Sequence, residues 1–231
     1  VIKSANSVLA QGDIPEWASQ AVASLLRALR MVDVKTYEHC LRVGRDAFRL
    51  ARAMGLTPYQ QRVAEFSGIL HDIGKMGVSG ALIHKASRLT SDEMTVVASH
   101  PILSEQIVQP LALKDSFFQQ LLPGIRGHHE RVDGTGYPDN LVGDQIPLIA
   151  RLILVVDTLD AMGQDRAYRK ALPLEAIYLE LKDCSSSQFD PALVKIFLES
   201  HKFWKRDSTN PSELAELLET EQRKSSSFKV A

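Results

Sequence analysis

The chain has 231 residues, 45% of them hydrophobic and 24% charged, and its 27 basic against 28 acidic side chains leave a net charge of −1. That length and balance allow a sizeable globular core in one large domain or two small ones. They exclude a global basic field aimed at nucleic acid or a membrane surface. Two cysteines, Cys40 and Cys184, are too few for a disulfide framework and read as reduced thiols of a cytosolic protein. No apolar run approaches the roughly 18 residues of a membrane span, and no signal peptide is visible. The first residue is Val1 rather than Met, so the chain reads as a trimmed piece, which leaves room for a missing N-terminal partner domain.

Residues 1–12 are small and polar and form a lead-in. Asp13 with Pro15 predicts a helix start, and Ala18, Val22, Leu25, Leu26 and Leu29 recur at helical spacing as far as Met31. A second helix is expected over about 35–54, stopped by Gly55. Thr57 suits the cap of a third, which opens at Pro58 and carries Val63, Phe66, Ile69 and Leu70 up to His71-Asp72. Ser91-Asp92-Glu93 opens a fourth that ends near Pro110, and a fifth fills roughly 114–129. Residues 131–146 hold three glycines and Pro138 and predict a long structured loop. Pro147 then opens a strongly apolar helix over 148–162, and two more follow near 173–183 and 191–203. From Asp207 the tail is polar, with a short helical stretch near 211–222 and a frayed Ser225-Ser226-Ser227 end. No β-alternation and no internal repeat is found, so the expected class is all-α. The expected division is a linker and helix over 1–31, a main domain over 32–205 and a tail over 206–231.

Five of the seven histidines stand in contexts suited to metal. Asp157 ends the apolar run Leu152-Ile153-Leu154-Val155-Val156, where an unpaired carboxylate is costly. It reads equally as a metal ligand or as the partner of Arg151 or Arg166. His71-Asp72 alone reads as a capping pair more readily than as a ligand pair. Both side chains reach one centre only near a helix end, and Gly74 permits that end. His128-His129-Glu130 is more specific, because two adjacent imidazoles are expensive as mere packing. His39 and His100, each taken singly, read as satisfied histidines, and His84 and His201 as surface or packing residues. Together, His39, His71, Asp72, His100, His128, His129 and Asp157 come in order from successive helices. That set suits a pair of first-row metals, with one carboxylate between them, and phosphate-ester cleavage.

These residues, with Leu70-His71-Asp72-Ile73-Gly74-Lys75, His100-Pro101 and the run from His128 to Asp133-Gly134-Thr135-Gly136-Tyr137-Pro138, resemble the HD-GYP family. This is the branch of HD-domain phosphohydrolases that degrades the bacterial messenger cyclic di-GMP. The likeness extends from about 32 to 197 and includes Asp157-Thr158-Leu159-Asp160, Arg166-Ala167-Tyr168-Arg169 and Phe189-Asp190-Pro191. It implies an HD-domain helical bundle with a glycine-rich GYP loop. It also implies a cytoplasmic bacterial enzyme with two divalent metals, iron or manganese before zinc, nickel or cobalt. By that resemblance Asp72 bridges the metals, and His39, His71, Asp157, His100, His128 and His129 complete the centre. Lys75 meets the scissile phosphate, Arg166 and Arg169 clamp substrate phosphate, and Tyr137 stands at the pocket edge. Asp160, Glu130 and Asp133 support the ligands from behind. A metal-bridging hydroxide would open cyclic di-GMP to pGpG, with GMP after a second cut.

Ser79-Gly80, Ser104 and Ala167 depart from the family pattern and bear on loop shape. Lys35 stands where some members place a glutamate for a third metal, so two metals are expected. The competing readings are an HD-type hydrolase of another nucleotide, and a weakly active or non-catalytic module. The latter would bind cyclic di-GMP, or a diguanylate cyclase domain through the GYP loop. The helix over 13–31 suits a link to a regulatory domain, a homodimer contact or simple packing on the bundle.

Overall fold

The computed structural model describes residues 14, 15, 17–165 and 170–204. The helix expected near 211–222 and the segment 166–169 lie outside them. Among the described residues there are ten α-helices, two short 3-10 turns and no strand, so the all-α expectation holds. Two isolated bridges, Asp133 with Val142 and Ser185 with Phe189, are the β-like pairings found among them.

Helix α1 (Ala18–Val32) begins later than Asp13 and Pro15 suggest. The Ala18 N–H donates to the Pro15 carbonyl at 2.8 Å, and Trp17 stacks on Phe118 with ring centroids 5.2 Å apart. Its apolar stripe of Ala18, Val22, Leu26 and Leu29 is wholly buried. Asp33 ends α1 and caps α2 (Val34–Ala53), accepting from the N–H groups of Lys35 and Thr36 at 2.9 and 3.2 Å. Thr57 and Gln60 form a reciprocal capping box at the start of α3 (Pro58–Leu70). Helices α2 and α3 cross where Gly44 meets Gly68. A Cβ on Gly68 would lie 3.0 Å from the Gly44 Cα, so bare backbones set this approach, and with it the distance between His39 and His71.

A 3-10 turn (Ile73–Gly77) and a short α4 (Gly80–Ile83) follow, neither foreseen in the hydrophobic pattern. The single helix expected from Ser91 to Pro110 is two helices, α5 (Ser91–Val97) and α6 (His100–Ala112). Pro101 explains the break. It has no N–H to offer the Val97 carbonyl, and the His100 ring takes that carbonyl instead, Nδ1 to O at 2.7 Å. Pro110 does not end α6, which runs two residues further. Thr90, rather than Ser91, caps α5 through a box with Glu93. Helix α7 (Ser116–Arg126) is shorter than the expected 114–129 and is capped by Asp115.

After the glycine-rich loop, which includes a 3-10 turn (Gly143–Gln145), comes α8 (Leu148–Gly163). Leu152, Ile153, Val155 and Val156 are wholly buried on it. A helix apolar on nearly every side belongs at the centre of a bundle, and α8 stands between α2, α3, α7 and the C-terminal pair. That pair is α9 (Leu174–Asp183) and α10 (Pro191–His201), the latter capped by Asp190. Phe197, Leu193 and Val194 of α10 close the core. The packing gathers the ends of α3 and α7, the start of α6 and the inner faces of α2 and α8 at one place. No described helix is long and apolar enough to cross a membrane.

Candidate metal centre

Helix α3 stops at Leu70, and the stop is what lets two adjacent side chains face one centre. His71 keeps helical dihedrals as the C-cap, whereas Asp72 turns to φ −102 and ψ 6 and leads into the 3-10 turn. Ser104 of α6 holds this break in place. Its hydroxyl donates to the His71 carbonyl at 2.6 Å and accepts from the Gly74 N–H at 2.8 Å. Gly74 is required by space, since a Cβ there would lie 2.2 Å from the His100 carbonyl oxygen. Thus Ser104, a departure from the family pattern, ties the turn to α6.

Three rings are aimed in the same local way. The Nδ1 atoms of His71, His100 and His128 lie 2.7, 2.7 and 2.6 Å from the carbonyls of Gly68, Val97 and Ile125, each three residues earlier. A carbonyl only accepts, so each Nδ1 carries a proton and each Nε2 is left facing the centre. His39 differs: its Nδ1 donates to Asp160 Oδ2 at 2.7 Å. The Nε2 atoms then converge in couples, His39 with His71 at 3.3 Å and His100 with His128 at 3.1 Å.

Asp72 stands between the couples and turns one oxygen to each. Its Oδ2 is 3.4 Å from the Nε2 atoms of both His39 and His71, and its Oδ1 is 3.1 Å from that of His100 and 3.9 Å from that of His128. Asp157 adds an oxygen 3.2 Å from His39 Nε2. Arg151, the alternative partner weighed for Asp157, binds Asp144 and Asp190 instead, at 2.9 and 2.7 Å. Among the described residues three sets of donor atoms lie mutually within 4.8 Å: His39, His71 and Asp157; His100, His128 and His129; and His71, Asp72 and His128.

These residues fit divalent cations. The Nε2 atoms of each couple lie 3.1–3.3 Å apart, a separation that suits two neighbouring ligands of one cation. Asp72 Oδ1 is buried and accepts no hydrogen bond, an arrangement that costs several kcal/mol unless a positive charge faces it. Burial opposes ionisation of Asp72, yet His71, Lys75, His100 and His39 hold its carboxyl well below the usual range. Burial likewise opposes charge on His39, but hydrogen bonds to Asp157, Asp160 and Asp72 hold its pKa well above that of a free imidazole. On the far side the balance reverses. Burial, then His129, His71 and His100, push His128 well below its ordinary value, and burial brings His129 down to about 3. The centre therefore has a carboxylate-rich end and an imidazole-rich end.

The glycine-rich loop is fastened to the second couple. Glu130, buried, accepts from the backbone N–H groups of Asp139 and Leu141 at 2.6 and 2.9 Å. The Tyr137 N–H donates to the His129 carbonyl at 3.2 Å, and the Tyr137 ring lies 4.8 Å from that of His129. Arg126 joins Asp139 to Glu105. Asp133 is turned to Arg131 and Thr135 at the outer edge of the loop, away from the ligand rings. Lys75 reaches Asp72 Oδ2 at 2.5 Å. Arg166 and Arg169 lie outside the described residues. Lys35 is exposed, as is Glu38. His84 meets Asp33 at 3.2 Å, and His201 packs on Phe197 and Trp204. Reasoning from sequence missed Ser104 as a tether and Arg42, whose guanidinium grips Asp160. The signal for Arg42 was its i+3 spacing from His39.

The family model described as HD domain matches residues 23–193. The chain belongs to the HD-domain family. Its His71-Asp72 pair and intact Gly136-Tyr137-Pro138 segment put it in the HD-GYP branch. This HD-domain chain is 34% identical over 187 residues to the cyclic di-GMP phosphodiesterase response regulator RpfG of Xanthomonas campestris pv. campestris, covering 80% of this chain and 49% of that protein. It is 34% identical over 171 residues to a cyclic di-GMP phosphodiesterase of Thermotoga maritima, covering 74% and 46%. The chain thus spans about half the length of these curated relatives. Its fold matches the solved structure of a cyclic GMP-AMP-specific phosphodiesterase of Vibrio cholerae with a TM-score of 0.61 at 19% identity, over 87% of this chain and 52% of that one.

Proposed function

We propose that this chain is a metal-dependent phosphodiesterase that hydrolyses cyclic di-GMP, giving pGpG and/or GMP. The observation that carries this reading is the pair of converging imidazole couples, with Nε2 atoms 3.3 and 3.1 Å apart, on either side of the buried Asp72 carboxylate. The names of the relatives support the substrate class. In this reading His39, His71 and Asp157 would hold one ion, His100, His128 and His129 would hold the other, and Asp72 would serve as a ligand between them. Two divalent ions there would lower the pKa of water and offset charge developing on a phosphodiester. The nitrogen and oxygen donors suit iron or manganese, and also zinc, nickel or cobalt.

Around that centre the protein positions and shields. Lys75, three residues after Asp72, brings an ammonium whose pKa the Asp72 carboxylate raises against the effect of burial. It would meet a phosphoryl oxygen of the scissile diester. Arg166 and Arg169 would hold substrate phosphate, and Tyr137 would wall one side beside His129. Lys35 offers no carboxylate at the third-metal position, which favours two ions. The outer edge of the GYP loop, where Val142 is exposed, is the face assigned to a diguanylate cyclase partner.

The test is anaerobic incubation of cyclic di-GMP with protein reconstituted in Fe(II) or Mn(II), with cyclic GMP-AMP in parallel and products separated by chromatography. Metal-dependent pGpG or GMP is expected, and Asp72→Ala should reduce turnover by at least about 100-fold. A protein that carries two metals and cleaves neither nucleotide would overturn the reading.

A further inference from the structure

His71, His100 and His128 each fix their rings on a carbonyl of their own segment. His39 alone among these four takes a carboxylate, and that carboxylate has its own holder. Asp160 Oδ2 accepts from His39 Nδ1 at 2.7 Å, while Arg42 donates from Nε to Oδ1 at 2.5 Å and from Nη2 to Oδ2 at 3.0 Å. His39 and Arg42 are i and i+3 on α2, and Asp157 and Asp160 are i and i+3 on α8. The two helices therefore meet along a ladder with two rungs. One rung is His39 with Asp157 at the centre; the other is Arg42 with Asp160 behind it. Asp160 is 6% exposed, so its orientation depends on these two partners rather than on water.

We propose that Arg42 is a positioning residue for one metal position only, the one formed by His39, His71 and Asp157. This rests on the metal-centre reading above. A carboxylate behind a ligand imidazole fixes its tautomer and strengthens it as a donor. The planar guanidinium fork in turn fixes the plane of that carboxylate, which the point charge of a lysine cannot do. Without Arg42 the Asp160 carboxylate can turn, and the His39 ring loses its aim. The rings of His100 and His128 are held by backbone carbonyls and that of His129 lies against Tyr137. None of those three restraints passes through α2 or Asp160, so the second position should not feel the change.

The experiment is calorimetric titration of the metal-stripped full chain with Mn(II), with far-UV circular dichroism to verify folding. Wild type should show two binding events. His39→Ala identifies the event belonging to the His39 position, and His100→Ala the other. Arg42→Met should weaken the first by about 10- to 100-fold and leave the second unchanged. Arg42→Lys should recover only part of the loss, and it carries the test alone if the methionine variant does not fold. Two unchanged events in a folded variant, or equal weakening of both, would overturn the role of Arg42. A wild-type chain that binds no Mn(II) would instead overturn the metal-centre reading on which it rests.

Discussion

The Ser104 hydroxyl serves two partners at the point where α3 ends, the His71 carbonyl and the Gly74 N–H. Ser104→Ala leaves a buried N–H and a buried carbonyl without their partner. It should cost about 1–3 kcal/mol, read as a lower denaturant midpoint with an unchanged slope. The same variant should lower metal content, since the turn it releases carries His71 and Asp72. Of these residue-scale contacts the sequence exposed one kind and hid the other. The candidate ligands were legible because imidazole and carboxylate have few cheap reasons to recur at buried helix positions. Ser104 was not, because a hydroxyl among apolar neighbours marks no partner, and this one acts across 33 residues of chain. Arg42 reads as an ordinary surface arginine until α8 is laid against α2.

At the scale of elements, the apolar spacing foretold α1, α2, α3, α8, α9 and α10 to within a few residues. It failed between Ile73 and His100. There the 3-10 turn is set by contacts from α6 and α5 by its Thr90–Glu93 capping box, while α4 has no buried residue, so none of the three rests on an apolar stripe. Pro101 and the His100 side chain together make a break that periodicity does not record. The GYP loop was legible as a loop, but its fastening was not. Glu130 holds two backbone N–H groups that are nine and eleven residues ahead. Glu130→Gln keeps the size but weakens acceptance and inserts a donor where two donors already point. It should destabilise by about 1–3 kcal/mol and speed proteolytic cutting within 131–146. Equal cutting rates in wild type and variant would contradict this account of the loop.

Across the whole molecule the candidate ligands come from α2, the end of α3, the start of α6, the turn after α7 and α8, so the centre is only as well formed as the bundle. Helix α1 supplies Leu26 and Leu29, wholly buried, to the same core. Leu26→Ala should cost about 2–5 kcal/mol, measured by chemical unfolding, if α1 is part of the folding unit. A loss under about 0.5 kcal/mol, the usual range for surface changes, would make α1 a separable appendage.

The segment over 79–99 has a different standing. No residue in it is buried, yet it leaves beside Lys75 and returns at His100, and Gly74 and Ser104 hold those two ends side by side. Its length is dictated neither by the core nor by the centre. Closing a loop between fixed ends grows dearer by only about 0.6 kcal/mol for each doubling of its length. Here, then, is the stretch along which the chain can be lengthened or shortened while the chemistry beneath it stays as it is.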